Sequence, residues 1–300
     1  MLTPLEFIQD LLNPDLGFLM KALVMAVCSS IVCGVIGCYV VLRGMAFIGD
    51  TVAHAVFPGL AIAFLIQGNL VLGGAIAGVI TAVLVALLSQ NRRIKEDGII
   101  GVLFVAAFAL GIVIISFAPG YAGSLTQFLF GSITGIPDED VLTVIITGLV
   151  LMTVLSSFRK ELVAVSLDRE TARASGLPVM LLDLGLYVAV ALSVVISIQT
   201  IGNILVLALL ITPAATARLL TDRLGIMMLL APVLGASAAV IGLYLSWSID
   251  AGLPTGGTIV LVSTAGFFLA WLFAPKHGRF ARRREVAEET RNEPQLEAAV

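Results

Sequence analysis

Apolar stretches of roughly 18–25 residues recur along the chain, separated by short polar or glycine-rich joints. A helix needs that length to cross a ~30 Å hydrocarbon core. About nine such stretches can be drawn, near residues 20–42, 46–67, 70–90, 98–118, 140–158, 179–199, 203–221, 225–247 and 256–274. An eight-span version follows if one broken segment re-enters the membrane instead of crossing it. The expected fold is all-α, a polytopic membrane protein of about 8–9 transmembrane helices, because backbone polar groups in lipid must be satisfied within the segment. Three units are expected: an extracellular N-terminal segment over 1–19, a transmembrane body over 20–275, and a cytoplasmic tail over 276–300.

Composition sharpens this. Of the 300 residues, 59% are hydrophobic and only 12% charged, with a mean hydropathy of +1.08, whereas a soluble domain carries about 25% charged residues. The net charge of −3 says less than where the charges stand. Basic residues cluster at Arg43, at Arg92, Arg93 and Lys95, at Arg159, Lys160, Arg169 and Arg173, at Arg218 and Arg223, and from Lys276 onward. Placing every cluster on the cytoplasmic face satisfies the positive-inside rule, with the N-terminus outside and the C-terminus inside. The N-terminus lacks the basic region and small-residue cleavage site of a secretory signal, so no removed leader is expected. The charged tail buries too little apolar surface to fold alone, and disorder is expected past Arg284. Cys28, Cys33 and Cys38 share one span, but steps of five residues turn a helix by about 140° each, so they form neither a metal cluster nor a disulfide.

The candidate chemistry lies in "GMAFIGDTVAHAVFPGLAIAFLIQG". Asp50 and His54 are four residues apart, about 400° of helix, which leaves both side chains on one face. A carboxylate and an imidazole together suit a divalent transition metal, and ionisable groups inside a bilayer usually mark a pathway or site. An Asp after Gly before an apolar run is also a common N-cap. Pro58-Gly59 just beyond disturbs the helix and adds Pro58 as a path candidate. A second polar node is "SIQTIGNILVLALLITPAATARLL". There Gln199, Gly202 and Asn203 break the apolar run, and Thr212-Pro213 kinks the next span. It reads either as a gate lining or as a plain hairpin before a proline-kinked helix. Asp183 sits near the start of its span, where the helix dipole favours an acid.

Between two spans, "SSFRKELVAVSLDRETARASGLPVM" holds a charged knuckle. Its first part continues the fifth span; then Asp168 offers an N-cap for a short helix over 169–175, which Gly176 closes and Pro178 stops. It reads as a solvated loop or as a docking element for a cytoplasmic partner. A P-loop is excluded, because Lys21, Lys95, Lys160 and Lys276 follow Met, Ile, Arg and Pro instead of the required Gly. With no HExxH, GxSxG or second intramembrane histidine, neither intramembrane hydrolysis nor any other enzyme activity is expected. No intrinsic cofactor and no nucleic-acid partner is expected either.

Three blocks carry a family resemblance: "RGMAFIGDTVAHAVFPGLAIA", "SLDRETARASGLPV" and "SIQTIGNILVLALLITPAATARLL". In this order they resemble the ABC-3 permeases, the membrane subunits of bacterial zinc and manganese ABC importers, over about Leu16 to Ala274. The resemblance implies a type II importer-like fold in the bacterial cytoplasmic membrane, and a homodimer. It further implies a cytoplasmic ATPase dimer that consumes ATP and an extracellular metal-binding protein that delivers Mn²⁺, Zn²⁺ or Fe²⁺. It places Asp50 and His54 on the ion path. It makes Asp168, Arg169, Glu170, Thr171, Ala172, Arg173, Ala174 and Gly176 a coupling helix set into the ATPase. The tail lies outside the family pattern. The alternatives are an ion-coupled secondary metal carrier, or an ABC permease for iron-siderophore or cobalamin, a group usually one span longer and without this Asp/His pair.

Overall fold

The computed structural model describes residues 3–45, 47–89, 96–117, 137–249 and 253–274, apart from the side chains of 96, 97, 199–201 and 203. The charged tail, the 118–136 connection and the basic 90–95 loop therefore lie outside the described residues. Every regular element among those described is helical. Eight helices are long and apolar enough to cross a membrane, and Ile204–Leu220 is a shorter apolar helix of the same kind.

The segment before the first span is not extended. It forms α1 (Pro4–Leu12), with a capping box between Thr3 and Glu6, followed by a single 3-10 turn at Pro14–Leu16. Phe7 is buried while Leu5, Ile8 and Leu12 are exposed, the pattern of a helix that keeps an apolar face for a membrane interface. Its inner face stacks Phe7 edge-on against Tyr244, and Asp10 accepts a 2.9 Å hydrogen bond from the Trp247 indole.

The first span, α2 (Gly17–Leu42), is apolar on all sides because it is surrounded. It packs against α7 (Asp138–Ser157), α10 (Val179–Ile201), α11 (Asn203–Leu220) and α12 (Leu224–Ser248). Gly37 makes one of these contacts possible: a Cβ there would stand 1.8 Å from the Leu210 carbonyl oxygen of α11. The hydroxyls of Ser29 and Ser197 meet at 3.0 Å between α2 and α10, a buried interhelical hydrogen bond that needs no water. The last span, α13 (Thr255–Phe273), packs on α11 and α12.

The second span is divided. α3 (Ile48–Ala55) stops at Val56, and α4 (Phe57–Leu65) starts with Pro58 in its first turn, where the missing N–H costs no hydrogen bond. α4 packs on α5 (Leu70–Leu88) and α6 (Glu96–Ile115), and α3 packs on α5, α6, α10 and α11. Large apolar side chains such as Ile76, Ile80, Val102, Val105, Leu149 and Leu261 remain exposed on the outer helices, as a surface meeting lipid or another chain requires.

The fifth span does not run on into the knuckle. α7 ends at Ser157, Phe158 breaks the helix, and α8 (Arg159–Leu167) and α9 (Arg169–Ala174) follow as separate short helices. Gly202 alone joins α10 to α11, with φ +82, a conformation that residues with a Cβ rarely adopt.

Candidate functional site

Asp50 is the third residue of α3, not its N-cap. Phe47 occupies the cap position without a side-chain bond, because the chain turns from α2 through Gly44 and enters the helix at Ile48. The carboxylate therefore projects from the first helical turn, where the dipole favours a negative charge. It is partly exposed, and His54 one turn later is more enclosed.

The two side chains lie together as the spacing requires. The His54 Nδ1 stands 2.9 Å from the Asp50 carbonyl oxygen and 3.4 Å from the Asp50 carboxylate. A carbonyl oxygen only accepts, so Nδ1 is the donor of this bond, and in a neutral ring the lone pair falls on Nε2. Metal-binding imidazoles are commonly fixed in this way, through a hydrogen bond from the other ring nitrogen. The ring is also held from α6, with Phe104 and Phe108 each edge-to-face at 4.9 Å. Those two phenyl rings, four residues apart on α6, are within 7° of parallel. The F-x-x-x-F spacing is visible in the sequence, but nothing local shows which residue it clasps.

Among the described residues no three His, Cys, Asp or Glu side chains gather as a metal cluster. The described part of one chain thus offers a carboxylate and an imidazole. The cysteines are all free, and Cys38 bonds to backbone carbonyls of Gly34 and Met227 instead of joining the pair.

The remaining path candidates separate. Pro58 lines a cavity of about 600 Å³ between α4, α5 and α6, whose walls include Ile62, Gly73, Ile76, Leu103 and Leu110 and are almost wholly apolar. Gly202 is buried at the α10–α11 joint; Gln199 and Asn203 belong to the flanking helices, but their side chains lie outside the described residues. Pro213 sits inside a continuous α11, packed beside Gly235 of α12, and the Thr212 carbonyl accepts the Thr216 hydroxyl at 2.7 Å. α11 approaches the pair's helix through other residues: Leu207 and Leu210 lie against Gly49.

The knuckle is built around one small anchor. Asp168 caps α9, accepting from the backbone N–H of Glu170 at 2.9 Å and of Thr171 at 3.3 Å, and from the Thr171 hydroxyl at 2.5 Å. Those bonds, the Thr171 hydroxyl first, hold its carboxyl below the ordinary value. Ala172 points inward and is buried, whereas Glu170, Thr171, Arg173, Ala174 and Gly176 are exposed beside Leu167. Gly176 ends the helix at φ +81.

Asp183 has partners that the helix dipole does not supply. It lies on the fifth residue of α10, beyond the first turn, and is nearly fully buried. One carboxylate oxygen takes Arg43 Nη1 at 2.5 Å; the other takes Arg169 Nη2. Removing one partner from a buried ion pair costs on the order of 3–5 kcal/mol, so this contact fixes where α2 ends relative to α9 and α10. Arg43, Asp183 and Arg169 also show that the end of α2, the start of α10 and the knuckle share one end of the bundle.

A polytopic helical bundle with a polar pair on an interrupted span, and with helix joints and prolines inside the apolar layer, is the architecture of a membrane transport protein. The model described as ABC 3 transport family matches residues 15–274, and the chain belongs to that family. It is an integral membrane protein of the transport class. It is similar to the manganese transport system membrane protein MntC of Halalkalibacterium halodurans, 42% identical over 266 residues, covering 89% of this chain and 90% of that protein. It is also similar to the chelated iron transport system membrane protein YfeC of Yersinia pestis, 36% identical over 285 residues, covering 95% and 96%. Among solved structures it resembles PsaBC from Streptococcus pneumoniae in complex with Fab, with a TM-score of 0.81, 34% identity, and coverage of 92% of this chain and 98% of that one.

Proposed function

We propose that this chain is the membrane-spanning permease of an ATP-driven importer of divalent transition metal ions, Mn²⁺, Zn²⁺ or Fe²⁺. The observation that carries the reading is the Asp50–His54 pair on a broken helix, with His54 Nδ1 taken up by the backbone and Nε2 the nitrogen left for an ion. Carboxylate and imidazole without thiolate suit these ions and disfavour Cu(I). The relatives' names, one for manganese and one for chelated iron, support the same group of ions.

Two ligands bind an ion too weakly for storage, which is what a transit site needs. A second copy of the chain, related by a two-fold axis, would supply a second carboxylate and imidazole. The exposed face of α9 docks a cytoplasmic ATPase dimer, since the permease itself has no P-loop, and an extracellular solute-binding protein delivers the ion. With the basic clusters cytoplasmic, α9 and the end of α2 face the cytoplasm, and so does the tail. Bilayer, second copy, ATPase and binding protein are the partners; the permease performs no chemistry of its own.

The test is Mn²⁺ uptake by proteoliposomes holding the permease with its ATPase. ATP-dependent uptake that Asp50→Ala and His54→Ala abolish is expected. Uptake indifferent to both substitutions, or driven by a proton gradient without ATP, would contradict the reading.

A further inference from the structure

The exposed knuckle and the connection that leads into the Asp50–His54 helix are joined by a short run of polar contacts through α10. Arg169, in α9, holds one oxygen of Asp183, and Arg43 holds the other. Arg43 Nε also donates to the Ser166 hydroxyl of α8 at 3.0 Å, so its fork spans two elements. One turn further along α10, the Tyr187 hydroxyl donates to the Met45 sulfur at 3.8 Å. Arg43 and Met45 belong to the connection between α2 and α3, and Met45 and Ile48 are almost fully enclosed.

Asp183 and Tyr187, at i and i+4 on one face of α10, therefore clasp the segment that leads directly into α3. Apolar side chains of similar size would hold such a junction at less desolvation cost than two arginines and an acid. Among the described residues, Arg43 Nη2 is moreover buried without a hydrogen-bond partner.

We propose that Asp183, Arg43 and Tyr187 are positioning residues that couple α9 to the metal pair. Displacement of α9 by the ATPase passes through Arg169 to Asp183, from there to Arg43 and the α2–α3 connection, and so to Asp50 and His54. This rests on the reading of α9 as the ATPase-docking element.

The permease–ATPase complex in proteoliposomes tests it, by the Mn²⁺ transported per ATP hydrolysed. Asp183→Asn removes the bridging charge; Arg43→Lys keeps the charge but cannot reach Asp183 and Ser166 together. Both variants should still co-purify with the ATPase, with the transport ratio lowered by about five-fold or more, the lower end of usual coupling. If Asp183→Asn fails to fold, Arg43→Lys decides alone. An unchanged ratio overturns the linkage even where the variants lose thermal stability, because a merely structural bridge would do that. Loss of ATPase binding in Arg43→Lys overturns it too, placing the bridge in docking. A wild-type chain that recruits no ATPase overturns the docking reading and the linkage with it.

Discussion

The imidazole of His54 donates through Nδ1 to the carbonyl oxygen of Asp50, one turn back on the same helix. The backbone thus holds the ring through Nδ1, and the Asp50 carboxylate stands 3.4 Å from the same nitrogen. His54→Gln and Asp50→Asn should therefore differ. On the proposed metal site, the first loses the imidazole, whereas the second keeps the backbone acceptor and loses only a charged carboxylate. Uptake should fall in both by at least on the order of 10–100-fold, the loss typical even of groups that merely orient a ligand. In Asp50→Asn the imidazole should still bind, so raising Mn²⁺ restores part of the rate. Initial rates across Mn²⁺ concentrations distinguish the two.

Phe104 and Phe108 press on His54 without offering any ligand of their own. Phe108→Ala releases the ring from one side and gives up an edge-to-face contact of about 0.5–1.5 kcal/mol. The expected result is a raised half-saturation for Mn²⁺ in a protein that still assembles with its ATPase, with Phe108→Tyr close to the parent. Transport kinetics with co-purification as the control measure this.

Gly37 and Gly101 should answer the same substitution in opposite directions. Alanine at 37 forces α2 off the Leu210 carbonyl, while a Cβ at 101 on α6 meets nothing within 4 Å. Overpacking costs about 1–3 kcal/mol, whereas glycine to alanine in an open helical position gains roughly 0.5–1 kcal/mol. Melting temperatures in detergent should fall for Gly37→Ala and hold or rise for Gly101→Ala.

Asp168 predicts a pH window. Its folded-state carboxyl lies below the ordinary 3.8, first through the Thr171 hydroxyl, then through backbone N–H groups. A depressed acid contributes stability that is fully present above its unfolded value and is lost as pH falls through the folded one. Asparagine caps equally well and does not titrate. The ratio of Mn²⁺ moved per ATP in the parent to that in Asp168→Asn should thus stay constant from about pH 8 to pH 5. Asp168→Ala, which removes the cap, should fall below both at every pH in that range.

Local pattern revealed the spans, the shared face of Asp50 and His54, the break at Pro58 and the cap at Asp168, because each depends on residues within about two turns. Within its own helix, Asp183 has only the dipole to suggest a partner. Its actual partners lie 140 and 14 positions away, and apolar periodicity carries no register between helices that distant. The same holds for the phenyl clasp on His54 and for the docking of α1 through Asp10 and Trp247, which join elements with no sequence signal for each other. Pro213, by contrast, lies inside α11, which continues through it and packs on α12.

The interruption at Val56 sets the length of the rigid element that carries Asp50 and His54. An unbroken span over these residues would be a rod of about 27 Å that could only tilt whole. α3 is about 12 Å long and carries both Asp50 and His54, so one helical turn sets the carboxylate-to-imidazole spacing. The distance between the two side chains therefore belongs to the short segment. Their distance to the rest of the bundle is set at the two junctions that bound the segment, Gly44 with φ +70 and Val56.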